Sequence, residues 1–487
     1  MKKFIEKNKI KLISLGIVIY FILIYIFSIK VNIPDVCFIG AIVIGIIVVI
    51  SNINILNEYE KNKKINFNKL ILAIGIIGIV LRSVYILYTP LTERQHDLEA
   101  NVGHLAYIET IYNTGKLPEH NKWQFYQQPL HHIISAGWLK IISIFGVDLK
   151  TSEEGIQILT AIYSSIIMVI AYCILKELKI SDKLKVLVMA VIAVHPTFII
   201  LSGSINNDIL MWMFTFLDLL YLIKWNKNSS MKNTVILAFI TALIALTKIS
   251  GTIIAIPILY IFINKFFKDY FKEKDKKVIK NYIVKFAIFG FISLGLGLLF
   301  SIRNMILFRQ SIFYVPQAGM AIYCGDRSLF ERFDILSKEW INIFCYPYTD
   351  CNIFAYLVKS SLFGEYALYG NNDGNVIALL LLIVNILIII KSIISLIKLS
   401  GKNNSEEIKM IIIFYFVEIF MYLYSNLTMP FGCTMDFRYI VPTVFFGMIF
   451  IVKELKDKDY KKTSMLIGSF SIISIIFELT YMNVLTI

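Results

Sequence analysis

Charge is what this 487-residue chain has least of: Asp, Glu, Lys and Arg make up only 17% of it, against about 25% in soluble globular proteins. Together with 57% hydrophobic residues and a mean hydropathy of +0.71, that shortage excludes a water-soluble enzyme and a disordered chain alike. Arginine is scarcer still, at seven residues (Arg82, Arg94, Arg303, Arg309, Arg327, Arg332 and Arg438) beside 41 lysines. The net charge of +14 therefore rests mostly on lysines in short links between apolar runs. Lysine so placed orients a membrane protein and does not mark a nucleic-acid binder. No internal repeat stands out, and no small-residue cleavage site follows the first apolar run. Met1-Lys2-Lys3 thus opens an uncleaved signal anchor.

Thirteen apolar runs are long enough, or nearly so, to cross about 30 Å of hydrocarbon: Leu12–Ile29, Val36–Ile55, Leu70–Leu87, Ile156–Leu175, Val186–Leu201, Ile209–Ile223, Val235–Leu246, Ile253–Phe267, Tyr282–Phe300, Val376–Leu396, Met410–Leu427, Ile440–Val452 and Met465–Leu485. With the N-terminus inside, alternation puts Glu58–Lys69, Lys176–Lys185, Lys224–Lys232, Lys268–Lys280, Lys398–Lys409 and Lys453–Lys462 on the cytoplasmic side, and nearly all are Lys-rich, as the positive-inside rule requires. The expectation is an all-α polytopic membrane protein: a single domain over residues 1–487 in the cell membrane, with about thirteen transmembrane helices and no soluble C-terminal domain.

Alternation leaves two long outer links, residues 88–154 and 302–375, and the short links Ser202–Asp208, Thr247–Thr252 and Thr428–Tyr439. Five of the six His and every Arg but Arg82 fall there, and the sixth, His195, lies toward the same face within Val186–Leu201. Arg82, a turn inside the third run, has the length to snorkel outward. The long links are expected to carry helices lying on the membrane surface, among them His131–Phe145 after Pro129. Three of the six cysteines, Cys324, Cys345 and Cys351, crowd the second link, where one disulfide or free buried thiols both fit; spacing does not fix the pairing.

The densest polar cluster is Thr92-Glu93-Arg94-Gln95-His96-Asp97-Leu98-Glu99, in which Asp97 and Glu99 are candidate general bases. Tyr126-Gln127-Gln128-Pro129-Leu130-His131-His132 opens a helix whose positive end suits phosphate, although its two His also permit a metal. His195-Pro196, Asn206-Asn207-Asp208 and Thr247-Lys248 sit between apolar runs, where an ionisable group is a functional candidate. Arg438, in Asp436-Phe437-Arg438-Tyr439, is of the kind that grips phosphate at two points. Carboxylates to take a proton and cations to hold an anion, on one face, suit sugar transfer from a polyprenyl phosphate.

These motifs, in this order between Leu70 and Pro442, resemble the GT-C superfamily of integral membrane glycosyltransferases, near the bacterial protein O-mannosyltransferases and aminoarabinose transferases. The resemblance implies an inverting transferase that uses a polyprenyl-phosphate sugar on the extracytoplasmic face and passes it to a lipid, glycan or protein acceptor. It makes Asp97 the base, assisted by Glu99, within a catalytic first link. Lys248 and Arg438 would hold donor phosphate, with His131, His132, Tyr126, Asn207, Asp208 and Arg303 completing the substrate site. Relatives tend to have adjacent Asp-Glu where Leu98 intervenes here, and some carry a soluble outer domain that this chain is not expected to have. No cofactor is implied; were a divalent metal used, His96, Asp97 and Asp208 would be its ligands. A lipid-linked glycan transporter and a surface-glycan polymerase or ligase are the alternatives.

Overall fold

The computed structural model describes residues 2–30, 65–99, 101–119, 122–316, 318–366 and 372–479. The expected span Val36–Ile55, together with Cys37, His120 and the end of Met465–Leu485, lies outside the described residues. The protein is an all-α polytopic membrane protein; among the described residues there is no strand, only an isolated bridge between Tyr323 and Phe431.

Among the described residues, seven helical stretches have the length and apolarity to cross a membrane: Asn8–Ile26, Phe67–Tyr88, Leu149–Glu177, Ile249–Glu273, Lys276–Gly297, Asn375–Ser400 and Glu406–Thr428. Other expected spans are present as helices that are shorter or carry more charge, such as Met231–Thr247, Asp208–Lys227 and Pro442–Glu454. The expected runs Val235–Leu246 and Ile253–Phe267 are separate helices, Met231–Thr247 and Ala255–Glu273, joined by the 3-10 turn Ile249–Ile254.

The expected run Val186–Leu201 is broken, into Asp182–Val194 and Pro196–Ile200, and the break explains Arg82. Pro196 has no N–H to give the carbonyl four residues back, and His195 adopts extended backbone. The carbonyls of Ile192, Ala193 and Val194 are thereby left without helical donors. Arg82 does not snorkel outward: it is wholly buried and donates to Ala193 O at 2.9 Å, Ile192 O at 3.3 Å, Gly78 O at 2.8 Å and Ser164 Oγ at 2.8 Å. Ser474 Oγ donates to Val194 O. A buried cation is tolerable only when its donors are met, and here the helix break supplies two of the four acceptors.

The first long link folds into helices His104–Thr114, Leu130–Ser143 and Leu149–Glu153. Leu130–Ser143 starts directly after Pro129, burying His131, His132, Ser135 and Leu139 while leaving Ile133 and Ile141 exposed. The second link holds Leu329–Phe333 and Ile353–Phe363 and is stapled by a Cys324–Cys351 disulfide; Cys345 is buried and free. Pairs such as Lys227–Glu177 and Lys402–Glu454 tie one set of helix ends. The polar segments at residues 89–103, 202–208, 247–252 and 432–439 gather at the other.

Candidate functional site

The segment after helix Phe67–Tyr88 turns back on itself through left-handed backbone at three non-glycine residues, Arg94, Asp97 and Asn101, with φ of 51°, 56° and 66°. Asp and Asn bear that conformation better than most side chains. His104 N–H donates to the Asp97 carbonyl at 2.9 Å. A Cβ on Gly103 would collide with that same oxygen, so glycine is what lets the turn close. Gln95 fastens the turn to the segment at 202–208: Ile205 N–H donates to Gln95 Oε1 at 2.9 Å, and Gln95 Nε2 donates to Gly203 O at 2.8 Å.

Two adjacent glutamines tie in the next segment. Asn207 Nδ2 donates to Gln127 Oε1 at 3.2 Å and to Thr247 O at 2.7 Å, and Ile249 N–H donates to Gln128 Oε1 at 2.9 Å. Asp208, first residue of helix Asp208–Lys227, is thereby set against Lys248, with which it forms an ion pair. Arg438 Nε stands 3.9 Å from the other Asp208 oxygen. Trp212 Nε1 donates to the Arg438 carbonyl at 2.9 Å, and Arg438 Nη2 donates to the Tyr439 hydroxyl at 3.0 Å. Burial alone would push the guanidinium down, but Tyr439, Glu365, Asp208 and Asp436 around it hold it firmly charged.

Asp97, Tyr126, Asp208, Lys248 and Arg438 all line one cavity of about 250 Å³. Its remaining wall is largely apolar, including Met211, Ile253, Met421 and Met429. Trp123 Nε1 donates to Asp97 Oδ1 at 3.4 Å. Other expected site residues stand back from this cavity. His132 is fully buried, with Nε2 2.9 Å from His104 Nδ1, and His104 itself lines the cavity. His131 is buried with Nε2 2.8 Å from Ile205 O, and burial pushes its imidazole down to about 4. Burial also holds His104 and His132 well below the usual histidine range. These imidazoles are therefore neutral supports for the wall. Asn207 positions Asp208's segment without facing the cavity. Glu99 points into a separate surface pocket beside Glu109, and Arg303 donates to Pro118 O at 2.8 Å and Asn304 Oδ1 at 3.1 Å.

The structure adds residues that local pattern did not single out. Glu365, just beyond helix Ile353–Phe363, meets His96 Nδ1 at 3.2 Å, and Asp436 meets His96 Nε2 at 3.5 Å. Burial pushes Glu365 up to about 7 and Asp436 up to about 6, and pushes His96 down to about 4. These three residues are the described His and carboxylate groups close enough to surround a metal ion, and of the expected ligands only His96 is among them. Each imidazole nitrogen faces a different carboxylate, Nδ1 that of Glu365 and Nε2 that of Asp436, and the Asp436 oxygen concerned has no hydrogen-bond partner among the described residues. Glu418, in helix Glu406–Thr428, also lines the cavity, with both carboxylate oxygens buried and lacking a hydrogen-bond partner among the described residues.

Residues 134–293 match the protein family described as dolichyl-phosphate-mannose-protein mannosyltransferase. The matched stretch holds Asp208 and Lys248; Asp97 and Arg438 lie on either side of it. No curated protein matches the chain.

Proposed function

We propose that this chain, a membrane glycosyltransferase of the GT-C type, is an inverting enzyme that moves a sugar from a polyprenyl-phosphate donor to a lipid, glycan or protein acceptor on the extracytoplasmic face. The observation that carries the reading is one cavity that joins a carboxylate, Asp97, to two cations, Lys248 and Arg438, beside an apolar wall. Asp97 takes the proton of an acceptor hydroxyl, whose oxygen attacks the anomeric carbon of the donor sugar. The bond from that carbon to the phosphate oxygen breaks on the opposite face, giving inversion. Lys248 and Arg438 receive the charge that grows on the departing polyprenyl phosphate, the kind of fixed electrostatic support that lowers such barriers most. The methionines and Ile253 offer the isoprenoid chain a surface that can repack around it.

The chemistry as drawn calls for no metal, because the two cations supply the positive charge. The test is transfer of radiolabelled sugar from a set of polyprenyl-phosphate monosaccharides by membranes holding either the native chain or Asp97→Asn. Label moved by the native chain alone supports the reading and identifies the donor. Equal label in both, with both proteins present, would overturn the base assignment; no transfer from any donor would favour transport of a lipid-linked glycan.

A further inference from the structure

At the helix ends remote from the catalytic cavity lies a groove of about 770 Å³ between helices Asn372–Ser400, Pro442–Glu454 and Asp457–Phe477. Lys391, Lys398, Lys402, Lys456 and Lys458 line it, against only two carboxylates, Glu454 and Asp459. Lys402 is committed to Glu454, 2.7 Å from each of its oxygens. Among the described residues no ion pair engages the other four lysines.

Lysines in links follow from the positive-inside rule, but Lys391 does not. It sits seven residues before Lys398 on the same helix, about 10 Å deeper along its axis. A lysine at that depth needs an anion or a path to water. Beside it the groove floor is apolar: Leu387, Ile390 and Ile394 are nearly half exposed, with Leu466 opposite. A ligand that fits must carry negative charge at the rim and hydrocarbon below it.

We propose that this groove binds one anionic phospholipid, its phosphate held by Lys391, Lys398 and the Lys456–Lys458 pair and its acyl chains laid along Leu387, Ile390 and Ile394. Basic pockets between transmembrane helices are suited to such headgroups. Helix Pro442–Glu454 runs from just beyond Arg438 to this groove, so the lipid would brace the far end of the helix that follows the phosphate-gripping segment. The proposal stands on the groove alone and does not depend on the transferase reading.

The test is native mass spectrometry of the full chain in detergent, titrated with phosphatidylglycerol or phosphatidylcholine. The native chain should retain phosphatidylglycerol over phosphatidylcholine, and Lys391→Met/Lys398→Met/Lys458→Met should weaken phosphatidylglycerol retention by roughly tenfold or more. Should the triple variant fail to fold, Lys456→Glu/Lys458→Glu, at two exposed positions, is expected to show the same selective loss. Equal retention of the two lipids by the native chain, or unchanged retention by the folded variants, would overturn the proposal. Displacement of phosphatidylglycerol by millimolar inorganic phosphate would overturn it too, by making the groove a site for the free anion.

Discussion

Lys248 and Asp208, forty positions apart in the chain, form a buried ion pair at the wall of the cavity, with Asp208 1% and Lys248 12% exposed. Arg438 approaches the same carboxylate from the opposite end of the sequence. One carboxylate thus holds two cations in place at the cavity wall. Lys248→Met should leave Asp208 short of a partner and destabilise the protein by about 3 kcal/mol. Adding Asp208→Asn should recover part of that loss, because the two effects are coupled. Thermal unfolding of the two single variants and the double variant checks this; strictly additive losses would mean that the pair does not act as a unit.

Asp97→Asn should lower turnover by a factor of about 10² to 10⁴ while leaving the unfolding temperature close to native. Asparagine tolerates the left-handed backbone that Asp97 adopts, so the substitution removes the proposed base without straining the turn. Asp97→Ala would confound the two effects. Initial rates beside a melting curve separate them.

Stability should depend on pH through His96 and the carboxyls beside it. Glu365 is raised from an ordinary 4.5 to about 7 by burial, so its contribution is complete below about pH 4.5 and is lost as pH rises through about 7. His96 is lowered from 6.5 to about 4 by burial; its contribution is complete above about pH 6.5 and is lost as pH falls through about 4. Glu365→Gln should therefore remove the decline that runs from about pH 4.5 up to about 7, and His96→Gln the opposite loss that runs from about pH 6.5 down to about 4. A melting-temperature profile unchanged by Glu365→Gln would show that this carboxyl does not carry the proton.

Breaking the Cys324–Cys351 bridge, which closes a separation of 27 residues, should cost roughly 3 kcal/mol. Cys324→Ser/Cys351→Ser should melt lower than the native chain under oxidising conditions and match it after full reduction. Equal melting before reduction would argue against the bridge.

How far the sequence foretold this arrangement depends on how local each cause is. The apolar runs, the helix after Pro129 and the candidacy of Asp97, Lys248 and Arg438 are legible because composition and neighbouring residues carry them. Glu365 is not, since nothing near it in the second link distinguishes it from a solvated acid; only folding brings His96 to it. Glu99 looks like a partner for Asp97 at two residues' distance, yet the left-handed turn sends it to another pocket. Arg82 misleads for a similar reason. Two of its acceptors, the carbonyls of Ile192 and Ala193, are freed by a proline more than a hundred residues away, and no window along the chain joins the two. The pairing of Cys324 with Cys351, rather than Cys345, likewise depends on tertiary placement.

The cavity draws Asp97 from the first long link and Arg438 from the segment just before helix Pro442–Glu454. A nascent chain threading into the bilayer thus owns its carboxylate long before its second cation. On the proposed reading, a chain halted between the two holds the proposed base without Arg438. Synthesis of the 432–439 segment would then be the act that arms it, and a chain terminated before that segment would persist as an inert membrane passenger.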